Sequence, residues 1–277
     1  MGRAVYNGDG RDVPTRRSEV RPTLPLDVPG VELSNRTALT MQHLDHPVPL
    51  LSPQEGYDRA AAVYDGWHWA EFWRKNELPI VAEWIDALDP GFALDAGSGT
   101  GNYRFELEAK GHTCIPLDLS MEMLRVQRRK TSAPSNTTHD NLIRGNVRAL
   151  PFSSAVFRYL ICARVLSHVE RLEPVLSEFA RVVQPTGQLI LSDVHSDHPY
   201  EHVTVSNGFM IAIQTYKHPV RELVNAITAC RLFRILWLRE YRLCDLPWKP
   251  PEFRFAKIYE NPDVPIFYVC SLERLQA

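Results

Sequence analysis

The chain has 277 residues, 44% of them hydrophobic, and a formal net charge of −2. That length is enough for one large domain or two small ones with a sizeable core, and a charge near zero argues against a general nucleic-acid binder, which is usually basic. No apolar run approaches the ~18 residues of a membrane span, and the first residues carry charge and proline where a signal peptide needs an apolar core. The five cysteines are odd in number and widely spaced, with no C-x-x-C, and read as buried free thiols in a reducing cytoplasm.

Residues 1–48 form an extended N-terminal arm. It holds Arg3, Arg11, Arg16, Arg17, Arg21 and Arg36, with Pro14, Pro22, Pro25, Pro29 and Pro47, and shows no sustained periodicity. It reads either as a variable extension or as a strap that wraps a partner or covers a site. Helices follow. Ser52-Pro53-Gln54-Glu55 is an N-cap with Pro at N1 and Glu at N3. A second helix over about 70–88 places Phe72, Leu78, Ile80, Val81, Trp84, Ile85 and Leu88 at helical spacing. Tyr57, Tyr64 and Asp65 lie between the two starts.

Phe92-Ala93-Leu94 then reads as a buried strand running into Asp95-Ala96-Gly97-Ser98-Gly99-Thr100-Gly101, a tight turn at a helix N-terminus. A dinucleotide fingerprint spaces its glycines G-x-G-x-x-G. Here the third glycine comes one residue early, and Asn102 stands where that pattern wants glycine. Asp95 would repel a pyrophosphate and suits a ligand with a positive group, such as an amino-acid ammonium. The helix from Tyr103 to Lys110 is closed by Gly111. The next strand, from Cys114, ends in Asp118, about 20 residues past the loop, where a carboxylate accepts hydrogen bonds from ribose hydroxyls.

Further along, Phe209 to Tyr216 reads as an inserted strand, Pro219 to Cys230 as a helix, Phe233 to Leu238 as a strand and Val264 to Cys270 as the last strand. Asp193, His195, Asp197, His198 and His202 are close in sequence, but their spacing matches no common zinc pattern and no metal site is expected. Trp248, Pro250, Pro251, Phe253, Phe255 and Tyr259 give the 243–262 connection an aromatic character suited to lining a pocket for a small, partly apolar acceptor.

Five motifs in order make the chain resemble a class I S-adenosylmethionine-dependent methyltransferase, of the branch similar to the ubiquinone/menaquinone-biosynthesis and small-molecule enzymes (methyltransferase type 11). They are the run Asp95 to Gly101, Leu117-Asp118-Leu119-Ser120-Met121-Glu122-Met123-Leu124, Gly145-Asn146-Val147-Arg148-Ala149-Leu150-Pro151-Phe152, Phe157 to Val169, and Glu178 to Leu191. Three positions depart from the pattern. Asn146 replaces the acid that meets the adenine amino group, Arg158 replaces an Asp, and Thr186 replaces a glycine before Gly187. An Asn carbonyl can still accept the adenine bond.

The resemblance implies an α/β fold: a Rossmann-like, doubly wound sheet of seven strands with the last antiparallel, preceded by N-terminal helices. The domain spans 49–277, with the cofactor half at about 90–195 and acceptor-side insertions at about 196–218 and 243–262. It implies S-adenosyl-L-methionine as cofactor, contacted by Tyr57, Tyr64, Asp95, Gly97, Ser98, Gly99, Gly101, Asp118, Leu119, Met123, Asn146, Val147 and Arg164. Tyr57 and Tyr64 read equally as helix packing.

His168, after the fourth strand, reads as a general base or as a packing residue, and His195 as a second base or an acceptor contact. Tyr216 and His218 are weaker candidates. The expected activity is methylation of a small, partly apolar molecule at O, N or C by a cytoplasmic enzyme of specialised metabolism. No nucleic-acid partner is expected, and a homodimer is left open. The alternative is a non-catalytic cofactor-binding partner or regulatory subunit with the same fold.

Overall fold

The computed structural model describes residues 48–130, 141–199, 203–206 and 209–276. The N-terminal arm, save residue 48, lies outside the described residues, as does His202. Ahead of the main sheet come β1 (Leu50–Leu51), α1 (Pro53–Ala60), a 3-10 turn (Tyr64–Gly66) and α2 (His68–Asp86). The expected capping box is present at the start of α1. Glu55 N–H donates to Ser52 Oγ at 3.3 Å, and Ser52 N–H donates back to Glu55 Oε2 at 3.3 Å.

The alternating section runs β2 (Phe92–Ala96), α3 (Asn102–Ala109), β3 (Thr113–Asp118), α4 (Met121–Lys130), β4 (Ile143–Arg144), β5 (Phe157–Ala163), a 3-10 turn (Leu166–His168), α5 (Leu172–Val182) and β6 (Val183–Val194). After it come β7 (Val203–Ser206), β8 (Phe209–Ile213), α6 (Val220–Cys230), β9 (Phe233–Tyr241), α7 (Ala256–Glu260) and β10 (Phe267–Arg274). Seven strands form one sheet in the order β4-β3-β2-β5-β6-β10-β9. β10 is antiparallel to both its neighbours, while β2, β3, β4, β5 and β6 pair in parallel. This is the expected Rossmann-like sheet. The strand order reverses between β2 and β5, and a ligand site belongs at the carboxyl ends of those two strands.

Both faces of the sheet are covered, so its strands read as continuous apolar runs. In β5, Phe157, Leu160 and Cys162 face one core with Leu176 and Phe179 of α5 and Leu223 of α6. Tyr159, Ile161 and Ala163 face the other with Phe72, Trp73 and Ile85 of α2 and Leu107 of α3. Among the described residues no helix is long and apolar enough to cross a membrane.

Three expectations change. The last strand starts at Phe267, because Val264 is used in a turn, its N–H donating to Asn261 O at 3.1 Å. The inserted strand, β8, ends at Ile213 instead of Tyr216, and pairs with β1 and β7 in a separate three-stranded sheet. The aromatic connection at 243–262 packs against α2. Phe255 is buried against Trp69 and Phe72, with ring centroids 5.0 and 5.6 Å away, and Tyr259 Oη donates to Pro250 O at 2.6 Å. The broad apolar stripe of α2 needs this cover, and of the connection's aromatic rings Phe253 is the one that stays exposed.

Candidate active site

A cleft of about 370 Å³ opens at the switch point. One wall is the glycine turn after β2, held by Gly97 N–H and Ser98 N–H, which both donate to Leu117 O at 2.7 and 2.9 Å. Two of its glycines answer different needs. Gly97, at φ +85°, lies against Val165 in the turn after β5, and a side chain there would overlap it. Gly99, at φ +52°, faces open space, where an added Cβ would meet nothing within 4 Å. The loop backbone at Gly99 is therefore open to a ligand.

Asp118, at the end of β3, forms the next part of the wall. It accepts from Gly99 N–H at 2.7 Å and Ser120 N–H at 2.8 Å. Burial nevertheless pushes its carboxyl up to about 6, those backbone donors offsetting only part of the cost. A carboxylate in that state gains from further donors such as a pair of ribose hydroxyls. Leu119, Met123, Asn146 and Val147 line the same end. Asn146 Oδ1 is engaged within its own turn, accepting from Arg148 N–H at 3.0 Å and Arg148 Nε at 3.4 Å. The carbonyl expected to meet an adenine amino group thus already has donors from its own turn.

Asp95 is not among the lining residues. It is buried beneath the loop, accepting from Arg104 N–H at 3.0 Å in the first turn of α3. Burial pushes it up to about 7, with the Asp118 charge adding to the effect. Its place is under the glycine turn, and no ligand ammonium reaches it directly. Gly101 likewise lies off the cleft, at the N-cap of α3.

At the opposite end the cleft is closed by residues from separate elements. Tyr57 of α1 donates from Oη to His168 Nε2 at 2.8 Å, with the rings edge to face at 5.2 Å. His168 Nδ1 lies 2.9 Å from the carbonyl of Gln214, which can only accept, so Nδ1 carries the proton. Burial lowers the His168 pKa below its ordinary value, while the carbonyl of Gln214 and the charge of Asp193 pull it back in part. Asp193 accepts from Ser167 N–H at 2.8 Å and anchors the turn that carries His168. Tyr64 and Tyr216 line this end as well.

Arg164, at φ +58° just past β5, also lines the cleft. Its guanidinium is paired with buried Glu77 and lies over the rings of Trp73 and Tyr103 at 5.4 and 5.7 Å. Glu77 accepts from Tyr103 Oη at 2.6 Å and Ser192 Oγ at 2.5 Å. The sequence reading passed over Glu77, although it stands on the buried stripe of α2, four residues from both Trp73 and Val81. An acid on such a stripe signals a buried partner.

His195 is placed elsewhere. Its N–H donates to Ile266 O at 2.9 Å, Nε2 lies 2.9 Å from Glu240 Oε1, and Nδ1 accepts from Asp197 N–H at 3.2 Å. His195 is not among the residues that line the cleft. His198 is buried, with burial and the charges of Lys217 and Lys257 pushing it down to about 4. It too lies off the cleft. His218 bonds Val169 O at 2.7 Å and Glu222 Oε1 at 3.1 Å, tying the start of α6 to the turn after β5. Among the described residues no group of three or more His, Cys, Asp or Glu is placed to hold a metal ion.

A parallel sheet with a glycine turn and a second acid at its switch point defines a cofactor-binding domain of the nucleotide type. Residues 94–191 match the family described as "Methyltransferase domain". Over these residues the chain is similar to class I S-adenosylmethionine-dependent methyltransferase domains. It is 35% identical over 121 residues to a demethylmenaquinone methyltransferase of Shouchella clausii, covering 43% of this chain and 49% of the relative. It is 36% identical over 111 residues to a malonyl-[acyl-carrier protein] O-methyltransferase of Erwinia pyrifoliae, covering 39% and 40%. The chain thus spans about half or less of the length of these curated relatives. The crystal structure of an S-adenosylmethionine-dependent methyltransferase from Mesorhizobium loti superposes with a TM-score of 0.54 at 19% identity, covering 71% of this chain and all (100%) of that one. At that identity the likeness concerns the fold.

Proposed function

We propose that the protein is an enzyme that transfers the methyl group of S-adenosyl-L-methionine to a small, partly apolar molecule, with His168 as the group that finally holds the acceptor's proton. The observation that carries this reading is the single cleft running from Asp118 and the open backbone of Gly99 to Tyr57 and His168. Asp118 suits the ribose, Met123 and Val147 suit the adenine, and the Gly97–Gly99 backbone suits the amino-acid portion. The cofactor supplies an activated methyl group on a neutral leaving sulfur. The chain's own work is to align the acceptor, exclude water and accept a proton.

The aromatic rings of Tyr57 and Tyr64 at the far end suit a sulfonium. In this reading the protein is a cytoplasmic enzyme of small-molecule metabolism, without a nucleic-acid partner. Calorimetric titration with S-adenosylmethionine, S-adenosylhomocysteine and NAD tests it. Binding of the first two but not NAD, lost in Asp118→Ala, is the expected result. No binding of either adenosyl ligand would overturn it and favour a non-enzymatic partner role.

A further inference from the structure

Tyr57 lines the cleft together with His168, whose Nε2 accepts from its hydroxyl. Tyr57 also lines a recess of about 20 Å³ beside the cleft, walled by Tyr64, Trp67, Trp69 and Trp73. That recess has room for about one small group. Both nitrogens of His168 are taken, Nδ1 by Gln214 O and Nε2 by the Tyr57 hydroxyl, at 2.9 and 2.8 Å. His168 in this geometry has no ring nitrogen to offer an acceptor directly, and any proton reaching Nε2 comes from Tyr57.

We infer that Tyr57 is the catalytic residue that takes the acceptor's proton, with His168 as its positioning partner and proton sink, and that the acceptor is a hydroxyaryl compound. The inference rests on the methyltransferase reading above.

The step balances as follows. The acceptor oxygen forms a bond to the methyl carbon as the carbon–sulfur bond breaks and its electron pair goes to sulfur. The acceptor's O–H proton passes to Tyr57 Oη while the Tyr57 proton passes to His168 Nε2. The products are an aryl methyl ether, neutral S-adenosylhomocysteine and an imidazolium. That imidazolium keeps its Nδ1–H on Gln214 O and gains the nearby charge of Asp193.

Acceptor class follows from matching acidities. A tyrosine hydroxyl, at pKa ~10, exchanges protons efficiently with a group of similar acidity, which a phenol is and an aliphatic alcohol is not. A tertiary amine has no proton to lose, and an aryl thiol is already ionised near neutral pH. The Tyr64 ring, 6.1 Å from that of Tyr57 and lining the same cleft, offers its face to an aromatic body.

The groups facing the dyad are Tyr64 from the first 3-10 turn, Arg164 past β5, Glu170 after the second 3-10 turn, Asp193 of β6 and Tyr216 after β8. Arg164 is held by Glu77, so its charge is balanced locally.

The test uses the full chain, methyl-labelled S-adenosylmethionine and four probes that share one ring system: 2-naphthol, 2-naphthylmethanol, N,N-dimethyl-2-naphthylmethylamine and 2-naphthalenethiol. Label should appear on the naphthol oxygen, at least tenfold faster than on the others. Tyr57→Phe, which keeps the ring and removes the hydroxyl, should cut that rate by about 10²-fold or more at saturating cofactor. His168→Asn should cut it comparably and abolish the rise of kcat with pH that the wild type shows as the imidazole loses its proton.

Transfer to the alcohol, amine or thiol at the naphthol's rate would overturn the inference. So would an unchanged rate in Tyr57→Phe, or cofactor binding with no naphthol methylation. Failure of the adenosyl ligands to bind at all would instead strike the underlying reading.

Discussion

Thr100 in the glycine turn donates from Oγ1 to Asp65 Oδ1, in the 3-10 turn after α1, at 2.6 Å. Lys130 completes the clasp, with Nζ 2.8 Å from Asp65 Oδ2 and 2.9 Å from Thr100 O. A second tie joins Asp58 of α1 to Ser120, whose Oγ donates to Asp58 Oδ1 at 2.6 Å. The two loops that face the cofactor are therefore each fastened to the N-terminal segment that bears Tyr57 and Tyr64. A segment held by a few polar bonds opens at low cost, and its opening would set the rate at which cofactor enters and leaves. Asp65→Ala removes the carboxylate that Thr100 and Lys130 share. Losing about 1 kcal/mol of hydrogen bonding should raise the S-adenosylhomocysteine dissociation rate roughly fivefold. Stopped-flow tryptophan fluorescence reads that rate directly. An unchanged rate would mean that the segment does not gate exchange.

Thr186 occupies a left-handed backbone position at φ +63°, in an exposed turn within β6. A β-branched residue there meets the crowding that costs an L-residue roughly 1–2 kcal/mol. Glycine relieves the crowding and gives back part of the gain as unfolded-chain entropy. Thr186→Gly should therefore stabilise the chain by about 1 kcal/mol and raise Tm by roughly 2–4 °C. Calorimetric melting of both proteins decides it, and an equal or lower Tm would show that the turn bears no strain.

Much of this architecture was legible before the structure, and the reasons are local. The capping box at Ser52, the closing Gly111 and the acids ending β2 and β3 each carry their own signal within a few residues. Their chain order carried the sheet. What was not legible depends on pairing across the chain. Nothing near His195 reports that its partner is Glu240, 45 residues on. Nothing near Phe255 reports that α2 awaits cover. Tyr57 and His168 are separated by 111 residues, and only the packing of α1 over the sheet edge brings them to 2.8 Å. Asp95 stood correctly at the strand end, yet its direction, under the loop to Arg104 N–H, was set by the turn geometry. The relocation of His195 is itself testable. His195→Gln should keep cofactor affinity within about twofold, since Gln can still bond Glu240 and the site lies off the cleft.

Asp118 gives a pH dependence of defined sign. Its carboxyl in the ligand-free chain is pushed up to about 6 by burial. The ionised form accepts hydroxyl hydrogen bonds more strongly, so cofactor binding favours loss of the proton. Affinity should be flat above pH 7 and fall as pH drops through 6, by up to tenfold per unit. Binding at pH 6 should release protons. Titrations from pH 5 to 8, repeated in two buffers of different ionisation enthalpy, measure both quantities. A buffer-independent heat with constant affinity would place the ribose away from Asp118. Asp118→Asn should flatten the profile at a low affinity.

Glu77 holds the floor of the site together. It is fully buried, pairs with Arg164, and accepts from Tyr103 and Ser192 at 2.6 and 2.5 Å. Replacing it with Ala leaves the Arg164 guanidinium without its counter-charge in a dry setting, and breaking one side of a buried pair costs about 3–5 kcal/mol. Glu77→Gln keeps the hydrogen-bond acceptor but not the charge, so its loss should be smaller. Urea unfolding of the two variants separates the contributions. The same pair fixes Arg164 at its left-handed backbone position beside Val165, whose side chain rests on Gly97. Release of Arg164 should therefore also loosen the glycine turn. Glu77→Gln is expected to weaken S-adenosylmethionine binding several-fold, although Glu77 itself is not among the cleft-lining residues. If stability falls while affinity is untouched, the network supports the core alone and the glycine turn is held by its bonds to Leu117.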